Sequence, residues 1–197
     1  MSQSDRDRWN ARWREREPAG EPRGPSVWIA SLDPVLPRRG RALDIAGGTG
    51  RHAMWLAGRG LHVTIADVSE VGLAIAGRAA AAAGVSVDTI EIDLEREPLP
   101  PGPWDVVIVF HYLQRSLFSD IAAVLAPGGL LAFCHPTLAN LERNARPGPA
   151  FLLDPGEAPA LVVRSGLEIV SSIETWSETG RHEARVVARR PSAAAHL

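Results

Sequence analysis

Lysine is missing from this 197-residue sequence; all 21 basic residues are arginine, set against 23 acidic ones for a formal charge of -2. Nucleic-acid binding needs a basic face to neutralise phosphates, so a near-neutral chain is not expected to take a nucleic-acid partner. Cysteine is almost missing as well. The single Cys134 has no partner in the chain, which excludes an internal disulfide framework, and no zinc-type spacing surrounds it, so no metal site is expected. A run of about 18 uncharged apolar residues, the length a membrane span needs, does not occur. Arg78 interrupts the alanine-rich stretch that comes nearest. The opening Ser-Gln-Ser-Asp-Arg-Asp-Arg has no apolar core of a signal peptide. No membrane association and a cytoplasmic location are therefore expected.

What is present describes a globular protein. Hydrophobic residues are 45% and charged residues 22%, which excludes a disordered or collagen-like chain. The length fits one domain, large enough to bury a core without staples. Arginine without lysine, with abundant Ala, Gly and Pro, points to a GC-rich, bacterial genome.

Residues 4–17 read as a helix in which Trp9 and Trp13 share a face at a spacing of four. The Pro/Gly-rich stretch 18–25 then forms a hinge. From residue 41 the pattern alternates: strands at 41–45, 61–66, 85–92, 104–110 and 130–134, with helices at 51–60, from Ser69 to Gly84, and at 116–125. The stretch 85–92 has period two, and 104–110 is a continuous apolar run of the kind a buried parallel strand shows. Pro127-Gly128-Gly129 reads as a turn. A long loop at 135–156 offers Asn140, Arg143, Asn144 and Arg146 as a substrate cover. A helix at 157–165 and two strands, 167–176 and 183–189, close the chain; Gly180 supplies their tight turn. Alternating strands and helices make an α/β fold with a mostly parallel sheet, mixed because the closing hairpin must be antiparallel. The predicted units are an arm and hinge at 1–25, a domain at 26–190 and a disordered tail at 191–197.

The segment A-L-D-I-A-G-G-T-G-R, residues 42–51, carries the most information. A strand running into a glycine turn that opens a helix exposes bare backbone to a ligand, at the positive end of that helix. Gly48, Gly50 and Ala53 also fit the dinucleotide pattern G-x-G-x-x-A. Asp44 weighs against that reading: a carboxylate there repels a pyrophosphate and attracts an amino acid's ammonium. Asp67 ends the second strand, placed to accept from ribose hydroxyls. Asp93 ends the third, placed to accept from an adenine amino group while Leu94 lies against the ring. Three acids on successive strand ends mark the crevice where open α/β sheets bind ligands. The plainer roles are a structural turn for Asp44 and the glycines, a helix cap for Asp67 and a loop acid for Asp93.

D-I-A-G-G-T-G resembles the first motif, D/E-x-G-x-G-x-G, of the class I S-adenosylmethionine-dependent methyltransferases. V-T-I-A-D is similar to the second motif and I-E-I-D-L to the third. W-D-V-V-I-V-F resembles the fourth strand, and L-A-P-G-G-L-L the turn into the fifth. The subgroup most resembled is the small bacterial tellurite-resistance type, whose N-terminal arm also carries aromatics. The resemblance implies a doubly wound, Rossmann-like sheet of seven strands, mostly parallel with the last antiparallel, and helices on both faces. It implies S-adenosyl-L-methionine as cofactor and a small-molecule acceptor. Asp44 and the backbone of Ala46, Gly47, Gly48 and Gly50 would hold the methionine part; Asp67 and Val68 the ribose; Asp93 and Leu94 the adenine. Phe110 and His111 would face the sulfonium, with His111 or His135 as a base, Tyr112 and Arg115 as substrate contacts, and Trp9 and Trp13 as a lid. Packing is the plainer role for both histidines and both tryptophans. His182 and Glu183 read as an edge feature. A nicotinamide-dependent oxidoreductase and a non-catalytic cofactor binder are the competing functions, and no motif specifies an oligomeric state.

Overall fold

The computed structural model describes residues 3–16 and 24–192. Most of the anticipated hinge (17–23) and of the tail (193–197) lies outside the described residues. The arm is α1, Gln3–Arg16. Ser26, whose Oγ accepts from the Ile29 amide at 3.3 Å, caps the short α2, Val27–Ser31. There follow β1 (Arg41–Ile45), α3 (Arg51–Gly58), β2 (His62–Asp67), α4 (Glu70–Ala82), β3 (Val87–Glu91), β4 (Trp104–Phe110) and α5 (Leu117–Val124). The chain continues with β5 (Leu125–Pro136), α6 (Glu157–Arg164), β6 (Glu168–Trp176) and β7 (His182–Arg189).

The strands form one seven-stranded sheet in the order β3-β2-β1-β4-β5-β7-β6. The first five are parallel, and β7 runs antiparallel to both β5 and β6. This is the expected doubly wound mixed sheet. Strand order reverses at β1, which lies between β2 and β4, so a crevice opens at the C-terminal ends of these three strands. One face buries Ile29, Leu56, Leu73 and Ala76 from α2, α3 and α4; the other buries Phe118, Ile121 and Leu161 from α5 and α6. None of the described helices is long and apolar enough to cross a membrane.

Three expectations need correction. The period-two stretch around Ile90 is nearly all exposed, because β3 is the sheet edge and only partly covered. Strand pairing on β5 begins at Leu125, before the Pro127–Gly129 turn: Trp104 pairs with Leu125 and Val106 with Leu130, so the turn bulges out of a continuing ladder. The loop after β5 is not a free cover. It holds two short 3₁₀ turns, Leu138–Glu142 and Pro149–Phe151, and a bridge between Thr137 and Leu153. Asn140, fully buried, accepts from Asn144 Nδ2 (3.1 Å) and from the His182 amide (3.3 Å), and donates to the Arg146 carbonyl (3.3 Å). Arg143 stacks on Trp176, 3.9 Å from the ring centroid. Asn140, Arg143 and Asn144 are thus spent on pinning the loop to the closing hairpin.

Candidate active site

The glycine turn is as tight as the sequence demands. A Cβ on Gly47 would stand 2.7 Å from the Asp44 Cγ and 2.8 Å from Ile65 Cγ2. Gly50, at φ 72°, begins α3, and a Cβ there would meet Ile65 Cδ1 at 2.8 Å. Ala46 takes the left-handed region too, at φ 53°, where an L-residue pays roughly 1–2 kcal/mol. Its amide is held by the Ala66 carbonyl at 2.7 Å, so the bend persists without a glycine.

Asp44 is 1% exposed, and its Oδ2 has no hydrogen-bond partner among the described residues. Burial, then the nearby Asp67, push its pKa up to about 8, against the pull of the Ala53 amide. A buried carboxyl with one unpartnered oxygen is able to take a cationic hydrogen-bond donor once it gives up its proton. Asp67 is engaged: Oδ2 accepts from the Gly48 amide and Oδ1 from the Ser69 amide, each at 2.8 Å. It ties the glycine turn to the start of α4, and with the Val68 amide also bonded to it the carboxylate keeps one acceptor position for a ribose hydroxyl. Both the cap and the ribose role fit one carboxylate. Val68 is buried at 2% beside it. Asp93 follows β3, accepts from the Glu95 amide at 3.1 Å and lies 3.6 Å from the Arg96 guanidinium. Leu94 is in the core at 2% exposure, among Leu43, Ile45 and Leu99. The three acids lie at or just beyond the C-terminal ends of the adjacent strands β1, β2 and β3.

Across the rim, Phe110 ends β4 half-buried, its ring 4.0 Å from that of His52 and 5.5 Å from Trp28. Burial drops the His52 pKa to about 3, so the ring is neutral. His111 follows at φ 56°, its amide bonded to the Cys134 carbonyl at 2.8 Å. Its Nε2 is 2.9 Å from Glu183 Oε1 and its Nδ1 is 3.2 Å from the Arg181 guanidinium. Glu183 also takes Arg185 at 3.0 Å and the Cys134 thiol at 3.4 Å. The edge reading of Glu183 is thus wrong: it is buried at 5%. Residues 111 and 183 are too far apart in sequence for any spacing rule; only the antiparallel register of β5 and β7 would have joined them.

His135 sits on the other face of the sheet, stacked on Phe133 with centroids 6.3 Å apart, and its Nε2 donates to the Phe151 carbonyl at 2.8 Å. Burial carries its pKa down to about 4. Tyr112 donates to Gln114 at 2.6 Å and is raised in pKa by burial and then by Glu95, Asp93 and Asp67, which puts it on the acids' side of the rim. Arg115 is committed elsewhere, to Glu157 and to the Leu152 carbonyl at 3.1 Å.

The arm lies over this rim. Trp9 and Trp13 stack at 5.9 Å, and Trp13 fills the space against Gly48 and Gly72. Asn10, buried at 5%, accepts from Ser69 Oγ at 2.6 Å, and Arg6 pairs with Glu91 at 3.3 Å. Asn10 carried no signal in sequence, because a polar residue in a charged helix looks solvent-exposed until its docking partner is known.

Residues 42–129 match the family model described as a methyltransferase domain. Over 115 residues the chain is 35% identical to a ubiquinone biosynthesis O-methyltransferase of Marinobacter nauticus, an alignment covering 54% of this chain and 46% of that protein. The chain spans about half the length of the curated relatives it matches. Among solved structures, magnesium protoporphyrin IX methyltransferase from Synechocystis PCC 6803, with bound S-adenosylhomocysteine, superposes with a TM-score of 0.71 at 18% identity, covering 94% of this chain and 97% of that one. A TehB-like methyltransferase from Corynebacterium glutamicum gives 0.66 at 16% identity, covering 96% and 100%. The chain shares the fold of these methyltransferases, and Asp44, the glycine turn, Asp67, Asp93 and Arg115 all fall within the segment that matches the methyltransferase domain model.

Proposed function

We propose that the protein transfers a methyl group from S-adenosylmethionine to a small-molecule acceptor. The observation that carries this reading is Asp44: a buried carboxyl with an empty oxygen, beside a turn of bare backbone, in the segment matching the methyltransferase model. The positive charge of an oxidised nicotinamide sits on a ring nitrogen without hydrogen, so it has no cationic N–H to give that oxygen; the ammonium of a methionine moiety does. In this reading the backbone of Ala46, Gly47, Gly48 and Gly50 lines the methionine part. Asp67 and Val68 border the ribose, Asp93 and Leu94 the adenine. Phe110 with His111 faces the reacting end, and Tyr112 walls it. Trp9 and Trp13 cover it and exclude water. The cofactor supplies a methyl carbon on a sulfonium, open to in-line attack by a nucleophile. The protein's part is then mainly positioning, which can supply roughly 7–11 kcal/mol of a barrier when fully realised.

The aromatic arm and the fold shared with the TehB-like protein support a place near the tellurite-resistance type. Fold likeness at that identity carries no acceptor, and the relative matched by sequence is named for a ubiquinone pathway. Calorimetry with S-adenosylhomocysteine and with NADH tests the cofactor: binding of the first and not the second is expected. Release of S-adenosylhomocysteine in a turnover assay across phenols, thiols, amines, selenite and tellurite separates an enzyme from a cofactor sensor with the same pocket.

A further inference from the structure

The contacts of His111 fix where its proton sits. Burial alone would raise the pKa of Glu183, yet the hydrogen bond from His111 and the charge of Arg185 carry it down to about 2. Glu183 is therefore a carboxylate, which only accepts, so Nε2 of His111 carries hydrogen toward Oε1. A guanidinium only donates, so the Arg181 N–H at Nδ1 meets a lone pair. The ring is held in one tautomer, with its basic nitrogen turned to the exposed Arg181 side. The backbone of His111 is in the left-handed region at φ 56°, a strain that surrounding structure maintains and that concentrates at functional positions.

We propose that Glu183 is the positioning residue of a proton-accepting pair with His111, and that Arg181 selects an acceptor with an acidic hydroxyl, a phenol or an enol. This rests on the methyl-transfer reading above. An acceptor O–H takes the place of the Arg181 N–H at Nδ1. The O–H bond breaks and the proton forms an N–H bond at Nδ1. The oxygen keeps the electron pair that becomes the new O–C bond, while the pair of the broken S–C bond stays on sulfur. The imidazolium, held by Glu183, later loses its proton to solvent. Arg181, displaced by one hydrogen-bond length, is left beside the developing oxyanion. A thiolate or a reduced chalcogen arrives already anionic and uses neither the lone pair nor the hydrogen-bond exchange.

The same cluster has a different conceivable use. His111, Cys134 and Glu183 bring three ligand atoms within 4.8 Å of one another. Arg185 at 3.0 Å from Glu183 and Arg181 at 3.2 Å from His111 already fill that place with positive charge. The Cys134 thiol, raised in pKa by burial and then by Glu183, resists becoming a thiolate ligand.

The test uses the full chain loaded with S-adenosylhomocysteine and titrated with 4-nitrophenol, in a buffer where the free phenol is mostly neutral. Absorbance reads the nitrophenolate, and calorimetry reads both ligands. We expect the phenolate band to grow on binding to the wild type. Arg181→Gln, an exposed turn position, should bind S-adenosylhomocysteine as before and the phenol about tenfold more weakly, the loss of one charged hydrogen bond. Glu183→Gln should keep the cofactor product and lose the band, and His111→Gln should lose the band as well. A phenol bound neutral, no phenol bound to the loaded protein, or a band unchanged in both Arg181→Gln and Glu183→Gln would overturn the proposal. Failure of S-adenosylhomocysteine itself to bind is a separate result that removes the methyl-transfer reading and this inference together.

Discussion

Trp13 and Gly48 touch so closely that a Cβ on the glycine would stand 2.8 Å from the indole Cζ2. The same indole would stand 3.0 Å, at Cδ1 and Nε1, from a Cβ on Gly72. Two glycines on different elements thus make one slot, and the arm docks by filling it. Gly72 is helical, so alanine there favours α4 by roughly 1 kcal/mol on propensity alone. With the arm docked, the new methyl must push Trp13 or the Gly48 backbone away. Gly72→Ala is expected to lower the melting temperature and redden tryptophan emission. In a Trp13→Ala background the same change should be neutral or stabilising. Equal effects in both backgrounds would mean that the slot does not hold the arm.

Asn10 is the polar half of that docking. It is buried and accepts from Ser69 Oγ at 2.6 Å, while Ser69 Oγ accepts from the Gly72 amide at 3.1 Å. Asn10→Ala leaves the hydroxyl to find another acceptor, at a cost of about 1–3 kcal/mol. Chemical denaturation should show that loss. S-adenosylhomocysteine affinity should fall with it if the arm covers the cofactor, and stay level if the arm is only packing.

The raised pKa of Asp44 has a defined pH consequence. Its folded value is about 8 against an ordinary 3.8, so the native state keeps a proton the unfolded chain has released. That contribution to stability is complete below about pH 4 and gone above about 8. Asp44→Asn removes the dependence, and the variant should gain on the unliganded wild type progressively across this window, read by urea denaturation at several pH values. Binding shows the opposite preference. An ammonium needs the ionised form, so wild-type affinity for S-adenosylhomocysteine should climb toward pH 8, with proton release seen by calorimetry in buffers of different ionisation enthalpy. The asparagine variant should bind more weakly by roughly 1.5–3 kcal/mol and without that pH dependence.

Asp67 carries two duties, and its variants separate them. The carboxylate joins the Gly48 and Ser69 amides. Asp67→Ala should weaken cofactor binding by roughly 1.5–3 kcal/mol through the lost ribose contacts. It also frees the glycine turn, so the melting temperature drops as well. Asp67→Asn keeps one acceptor for a backbone amide and should recover part of the stability with little of the affinity. An unchanged affinity in the folded alanine variant would take Asp67 out of the site.

Much of this arrangement could be read along the chain because its parts are local. Asp44 and the glycine turn are contiguous, and Asp67 ends β2 while Asp93 comes two residues after the adjacent parallel β3. The period-two pattern near Ile90 misled because alternation says which side chains share a face, not whether anything covers it. Glu183 and Asn10 were hidden for another reason: each acquires its meaning from a partner on a distant element, Glu183 from His111 across β5 and Asn10 from Ser69 across the arm. His135 looked equivalent to His111 by position, each following one of the paired residues Phe110 and Cys134; the left-handed backbone of His111 turns its ring back toward Glu183, while His135 follows the pleat to the face of Phe133.

Arg115 gives the last contrast between sequence and structure. Next to the rim and positively charged, it reads as a substrate contact. In the fold its guanidinium makes a paired contact with Glu157 and a third bond to the Leu152 carbonyl. That hydrogen bond holds the Glu157 carboxyl below its usual range. Glu157 also accepts from the Asp154 amide at 2.9 Å, so the cluster fastens the start of α6 to the turn before α5. The Arg115 side chain is 45% exposed, and solvent screening keeps the ion pair itself under about 1 kcal/mol. Arg115→Ala should therefore cost a small amount of stability, reproduced by Glu157→Gln and not additive with it. The Michaelis constant for the acceptor should stay unchanged. A selective rise in that constant, with stability intact, would restore Arg115 to the acceptor site.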